Sequence, residues 1–256
     1  MIKAIFFDVD GTLFSHTTGT ISKSTHLALD ELKKRNIKSI IATGRHMLEL
    51  QDMPVISMDF DGYITLNGQL CLDENKKLFY GNPVNGVEKE YLIRLFQEKK
   101  IPIMFIEENR MYINFVNKMV KEAQADILTA VPHVGVYSGG DIYMAVAYIQ
   151  KDEEVDFREQ LPGCKITRWN NKAVDIISAN GGKINGIKQY LLQNDWKIEE
   201  VMAFGDAEND VEMLGFAGIG VAMGNAVDYV KEHADYVTTG VDEDGVEYAL
   251  KHYGII

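Results

Sequence analysis

Two patterns of hydrophobic and polar positions alternate at both ends of this chain. One is the short, unbroken apolar run of a buried strand; the other is the amphipathic spacing of a helix. IKAIFFDVD (2–10) reads as a first buried strand, and SKSTHLALDELKKRN (22–36) as a helix. That helix sets Leu27, Leu29 and Leu32 among polar residues, with Ser22 or Ser24 as its cap. IKSIIATGR (37–45) is a second strand, HMLELQDM (46–53) a short helix, and residues 54–71 strand-like material before a DENKK turn. The C-terminal end repeats the alternation: strand 199–206, helix 207–217, strand 218–223, helix 226–234, short strand 235–239 and helix 244–254. Strand-helix alternation predicts a mostly parallel sheet with helices on both faces.

The middle breaks the alternation. A helix at 86–100 precedes two strands, 101–108 and 111–116, with only a turn between them. A helix at 117–128, a strand at 141–149, a helix at 151–161 and a hairpin at 164–178 follow. Asn170 and Asn171 stand at the hairpin's turn, where residues that tolerate a positive φ are favoured. Paired strands without crossover helices predict an antiparallel α+β unit. The fold class expected is therefore α/β: a Rossmann-like, doubly wound parallel-sheet core with an inserted α+β domain. The core spans residues 1–82 and 183–256, the insert 83–182, with hinges near Gly81–Asn85 and Asn180–Gly182.

Composition narrows the function. The chain carries 26 Lys and Arg against 38 Asp and Glu, a formal charge of −12, with no basic block. That excludes the electrostatic footprint of a nucleic-acid binder. Cys71 and Cys164 form no CxxC pair and read as free thiols of a reducing compartment. No stretch reaches the ~20 apolar residues of a membrane span, and the N-terminal apolar run is too short for a signal-peptide core. A cytoplasmic protein is expected, with no membrane association and no obligate protein partner.

Open parallel sheets bind ligands beyond the carboxyl ends of their strands. The first strand delivers Asp8, Asp10 and Thr12 there, with Gly11 to permit a sharp turn. The second delivers Thr43, Gly44 and Arg45; the strand at 199–206 delivers Asp206, with Glu208, Asn209 and Asp210 behind it. Lys183 follows Gly181 and Gly182 at a helix start. Oxygen-only donors suit a hard cation such as Mg2+, and a lysine, a hydroxyl and backbone N–H groups suit a phosphate. The cation and the lysine reconcile an acidic cluster with an anionic ligand. A turn between Asp8 and Asp10 would let one carboxylate attack while the other moves a proton.

These segments resemble the haloacid dehalogenase-like (HAD) hydrolases. DVDGTL is similar to the family's first motif, IIATGR to the second, Lys183 to the lysine of the third and GDAENDVEML to the fourth, in that order. GVAMGNAVDYVKEHADYVT, DEDGVEYAL and ITLNGQL resemble stretches of the Cof-type subgroup, and the insertion resembles its C2-type (IIB) cap. The resemblance implies a Mg2+-dependent phosphatase of small phosphorylated metabolites, by family habit sugar phosphates. Asp8 would be the nucleophile and Asp10 the general acid and base. Asp8, the Asp10 carbonyl and Asp206 would hold the metal, with Asp210 in support. Thr43, Gly44, Lys183 and Asn209 would hold the phosphoryl oxygens. The cap would close over the core site. Arg45 in the core and Arg168 and Trp169 on the cap hairpin are candidates to read the substrate.

Other motifs fail. GFAGIG (215–220) is GxxGxG in the wrong context for a dinucleotide fingerprint, and GGK at 181–183 lacks a P-loop's first glycine and its Ser or Thr. The six histidines are scattered and read as surface or core residues. A phosphomutase, which returns the phosphoryl group to a sugar, is the nearest enzymatic alternative. A phosphometabolite-binding regulator without turnover is the alternative of another class.

Overall fold

The computed structural model describes residues 1–127 and 129–256, so the last residue of the helix expected at 117–128, Leu128, lies outside the described residues. The chain divides into two units: Met1–Tyr80 with Gly182–Ile256, and Gly81–Gly181.

In the first unit, eight strands among the described residues form one sheet. Their order is Tyr236–Val237, Ile219–Ala222, Val201–Gly205, Ala4–Phe7, Lys38–Ala42, Gly62–Thr65, Leu70–Asp73 and Leu78–Gly81. Neighbours pair in parallel from the first of these to Gly62–Thr65, and Leu70–Asp73 then turns antiparallel. Ala4–Phe7 is fully buried, as an apolar run in a two-sided parallel sheet must be. The chain leaves it in one direction to Lys38–Ala42 and later returns to its other side as Val201–Gly205, so it marks a topological switch point. Register does the rest: Phe7 lies level with both Phe204 and Ile41. The residues that follow these three strands therefore emerge side by side.

Several local expectations are corrected. The first helix, Lys23–Lys34, is capped by Ser22, whose side chain accepts the Thr25 N–H. Its buried stripe is Thr25, Ala28, Leu29 and Leu32, spaced by three and four, so Leu27 falls off it and is exposed. Residues Pro54–Ser57, expected to be strand-like, form a 3-10 turn, because proline at the first position withholds a ladder donor. The helix expected at 226–234 shrinks to Asp228–Lys231.

The second unit is one antiparallel sheet ordered Cys164–Asn170, Ala173–Ser178, Met144–Ala147, Ile103–Ile106, Met111–Ile113, with helices Gly86–Glu98, Lys118–Asp126 and Glu154–Glu159. Leu92, Phe96, Phe105, Tyr112, Ala145 and Ile166 belong to its core, where Phe96 stacks on Phe105 at 4.5 Å. Neither Asn170 nor Asn171 takes a positive φ. The Asn170 side chain instead accepts the Lys172 N–H at 2.9 Å, and a register shift between Arg168 and Asn170 absorbs the turn.

Asn114 is fully buried and joins four chain positions of this unit. Its Oδ1 accepts the N–H groups of Ile103 and Phe115, and its Nδ2 donates to the carbonyls of Phe96 and Ile101. Replacing it strands buried donors and acceptors, each costing about 1–3 kcal/mol. Asn114→Ala should therefore destabilise this unit by roughly 2–4 kcal/mol. Scanning calorimetry of the whole chain checks this; an unchanged melting profile would refute the hub role.

Candidate active site

Asp8 follows the first strand, and its N–H still donates to the Phe204 carbonyl at 3.0 Å. Gly205 and Asp206 stand beside it, and Thr43 follows the second strand, its N–H on the Ile64 carbonyl at 2.8 Å. Lys183 opens the helix Lys183–Asn194 and is buried to its tip. Its Nζ lies 2.5 Å from Asp8 Oδ1 and 2.6 Å from Asp210 Oδ1. The other oxygen of Asp210 accepts the N–H groups of Asp206 and Ala207, each at 3.0 Å. Asp210 thus fixes both the lysine and the loop that carries Asp206.

Two glycines let the acidic loops meet. Gly11 has φ +80°, and a Cβ there would run into the Asp206 carboxylate. A Cβ on Gly205 would meet Asp210 Cβ at 2.5 Å. Thr12 Oγ1 donates to Asp206 Oδ1 at 3.1 Å, and Asn225 Nδ2 reaches both the Gly11 carbonyl at 2.9 Å and Asp206 Oδ2 at 3.2 Å.

Asp10 faces another set of groups. Arg45 forks onto it, Nε to Oδ2 at 2.6 Å and Nη2 to Oδ1 at 2.8 Å, and His16 Nε2 approaches Oδ1 at 2.9 Å. A planar guanidinium matches a carboxylate this way and no lysine does.

The charges follow from these contacts. Burial pushes the Asp8 carboxyl up, the Lys183 ammonium pulls it down and the carboxylates of Asp210 and Asp206 push it up again, leaving it above the ordinary range. Burial would lower the Lys183 ammonium, but Asp210 and Asp8 more than offset this and keep it charged. Burial, then the Asp210 charge, pushes Asp206 up to about 6. Burial also works against Asp10, yet Arg45's hydrogen bonds and charge, with His16, hold it below its usual value.

One oxygen from each of Asp8, Asp206 and Asp210 lies within 4.8 Å of the others. This all-oxygen donor set fits a hard divalent cation. Both oxygens of Asp210 are engaged by Lys183 and backbone N–H groups, those of Asp206 accept from the side chains of Thr12 and Asn225, and Asp8 is held through Oδ1 by Lys183.

The structure brings Asp8, Asp206, Asp210, Lys183, Gly11 and Thr12 into one network. Thr43 and Gly44 lie on the neighbouring loop, where Thr43 Oγ1 accepts the Arg45 N–H at 3.1 Å. Asn209 is exposed, its amide on Asn67 Oδ1 at 3.0 Å. Arg168 lies in the second unit, tied to Glu154 at 2.5 Å and to the carbonyls of Ile149, Gln150 and Asn170; Trp169 beside it is half-buried. Three residues were missed from sequence. His16, expected with the scattered histidines to be a surface or core residue, is exposed and also reaches Asp10. Asn225 and Asn67 sit in the stretches GVAMGNAVDYV and ITLNGQL, which carried the resemblance but no assigned chemistry.

Comparison with known proteins supplies the context. The sequence model of the haloacid dehalogenase-like hydrolases matches residues 5–250. YkrA of Bacillus subtilis, provisionally named a phosphatase, is 33% identical, the alignment covering 99% of this chain and 98% of that protein. Among solved structures, a HAD-superfamily phosphatase of Bacteroides thetaiotaomicron is 32% identical with a TM-score of 0.91, covering 100% of this chain and 96% of its own. A HAD subclass IIB sugar phosphatase is 36% identical with a TM-score of 0.83, covering 99% and 100%.

Breaking a buried ion pair from one side costs roughly 3–5 kcal/mol, because it leaves a buried charge uncompensated. Lys183→Met should destabilise the chain by about that much at neutral pH. Adding Asp210→Asn to it should recover part of the loss, since the two positions are coupled. Urea unfolding of the two single variants and the double variant measures this; strictly additive losses would mean that the pair is energetically independent.

Proposed function

We propose that this chain, which belongs to the Cof-type branch of the haloacid dehalogenase-like hydrolases and is a phosphatase, hydrolyses small sugar phosphates through an aspartyl-phosphate intermediate with Mg2+. The observation that carries the reading is the division of labour between two carboxylates two residues apart. Asp8 is pinned against a buried lysine, while Asp10 is turned away into the grip of an arginine. The 36% identity to a sugar phosphatase over essentially the whole chain supports the substrate class.

In the first step an oxygen of Asp8 attacks phosphorus and the ester P–O bond breaks. The departing alkoxide takes a proton from the Asp10 carboxyl. In the second step water attacks the same phosphorus and gives its proton to Asp10. The Asp8–phosphorus bond breaks, phosphate leaves and Asp8 is restored. Asp10 is an ionised, clamped carboxylate in the arrangement described, so its acid role requires Arg45 to let go. An incoming phosphoryl group is an alternative anion for that guanidinium. Thr43, Gly44, Lys183 and Asn209 are proposed to hold the phosphoryl oxygens. They are groups fixed before the charge develops and need no reorganisation.

The Asp8 carboxylate, the Asp10 main-chain carbonyl and Asp206 would hold Mg2+, with Asp210 behind them. When bound, the cation offsets the crowding of carboxylates and favours the ionised form of Asp8. Lys183 keeps one phosphoryl-directed positive charge in place throughout.

Two measurements test the proposal. Release of inorganic phosphate from a panel of sugar phosphates should require Mg2+, stop with EDTA and fall by at least 1000-fold in Asp8→Asn, a scale typical of lost catalytic groups. Turnover that survives in Asp8→Asn would remove the nucleophile. The second is a pH series. With Asp206 raised from 3.8 to about 6, the metal-free fold binds an extra proton between these values and loses stability as pH rises through them. The cation competes with that proton. The melting-temperature gain from saturating Mg2+ should therefore be small at pH 5 and grow toward pH 7; a gain independent of pH would exclude Asp206 as a ligand.

A further inference from the structure

The most improbable backbone in the first unit is the run Leu66, Asn67 and Gly68, with φ of +51°, +53° and +84°. A left-handed conformation suits glycine and is tolerated by asparagine, but it is a true outlier for a bulky residue such as leucine. Strain of this kind collects where function demands a geometry. Thr65 Oγ1 and Gln69 Oε1, which flank the run, are buried without a hydrogen-bond partner among the described residues.

The run is held at every step. The Leu66 N–H donates to the Arg45 carbonyl at 3.1 Å, and its side chain is fully buried. The Asn67 N–H donates to the Thr43 carbonyl at 3.0 Å, and its carbonyl accepts the Gly182 N–H at 2.8 Å. A Cβ on Gly68 would strike the Gly182 carbonyl. These contacts tie one residue, Asn67, to the loops that carry Thr43, Lys183 and Asn209.

The Asn67 side chain is aimed as deliberately as its backbone is held. Its Oδ1 accepts the amide of Asn209 at 3.0 Å, which fixes which end of the Asn67 amide faces which way. Its amide lies over Gly44, so closely that a Cβ there would sit 3.2 Å from Oδ1 and 3.3 Å from Nδ2. No protein acceptor takes the Nδ2 hydrogens among the described residues. An N–H donor is thus presented beside Gly44 and between the groups proposed to grip the phosphoryl oxygens.

We propose that Asn67 is a phosphoryl-binding residue, its Nδ2 donating to an oxygen of the group transferred from substrate to Asp8. This rests on the phosphatase reading for the identity of the ligand. The strained run is then the device that sets this donor in place before substrate arrives.

The test uses inorganic phosphate as probe, by calorimetry with Mg2+ present, on the full chain. Asn67→Gly removes the amide and relaxes the backbone, so the fold is kept. Asn67→Asp keeps an acceptor for Asn209 and removes the donor. A hydrogen bond to a charged group contributes about 1.5–3 kcal/mol, so phosphate binding should weaken roughly 10- to 100-fold in Asn67→Gly. It should weaken at least as much in Asn67→Asp, with kcat/KM for a sugar phosphate falling in parallel and the melting temperature unchanged. Wild-type affinity in both variants would overturn the proposal. So would wild-type affinity in Asn67→Asp alone, because Asn67 would then only orient Asn209. Phosphate binding by the wild-type chain without turnover of any ester would count against the phosphatase reading, and the two variants would still decide whether Asn67 is a donor.

Discussion

Everything at the candidate site depends on one ammonium group held out of water between two carboxylates. Lys183 is 1% exposed, Asp8 5% and Asp210 0%. Desolvating any one of these charges alone would cost several kcal/mol, and only their mutual geometry makes the burial tolerable. The constraint propagates outward. Asp210 must keep its second oxygen on the backbone of Asp206 and Ala207, which sets that loop. Gly11 and Gly205 must lack side chains for the loops to close. Lys183 must open a helix, so its backbone stays near the second strand's loop through Gly182 and Asn67. Residues from both segments of the core are needed for a single ion cluster.

Much of this was legible in the sequence because it follows from periodicity and chain order. Unbroken apolar runs gave the parallel strands, and the rule that ligands gather at strand carboxyl ends picked out Asp8, Thr43, Asp206 and Asp210. Lys183 was legible by its place in the order of motifs. The shift to paired strands without crossovers marked the inserted α+β unit. The fold class and the phosphatase class both hold.

What stayed hidden was set by side chains meeting across long sequence distances. Nothing in TGR says that Arg45 will fork onto Asp10 rather than face solvent. Nothing near His16 says that its ring will lie on the same carboxylate. The left-handed run at Leu66–Gly68 is opaque for a different reason: leucine has no local preference for it, and only tertiary contacts from Arg45, Thr43 and Gly182 impose it. Leu27 and Asn170 show the same limit on a smaller scale. Apolar character alone did not place Leu27 on the buried stripe, and a bulge served where a positive φ was expected.

The pairing of the first strand also has a consequence during synthesis. Ala4–Phe7 leaves the ribosome well before its neighbour Val201–Gly205, which is made only after the whole inserted unit. At translation rates of ~5–20 residues per second, one edge of a wholly apolar strand waits on the order of 10–40 seconds for its partner. Unpaired apolar edges recruit other chains. The inserted unit, antiparallel and continuous in sequence, has every strand partner in hand before that wait ends. Among the paired strands of this sheet, Ala4–Phe7 therefore has the longest interval between its own synthesis and that of its second neighbour.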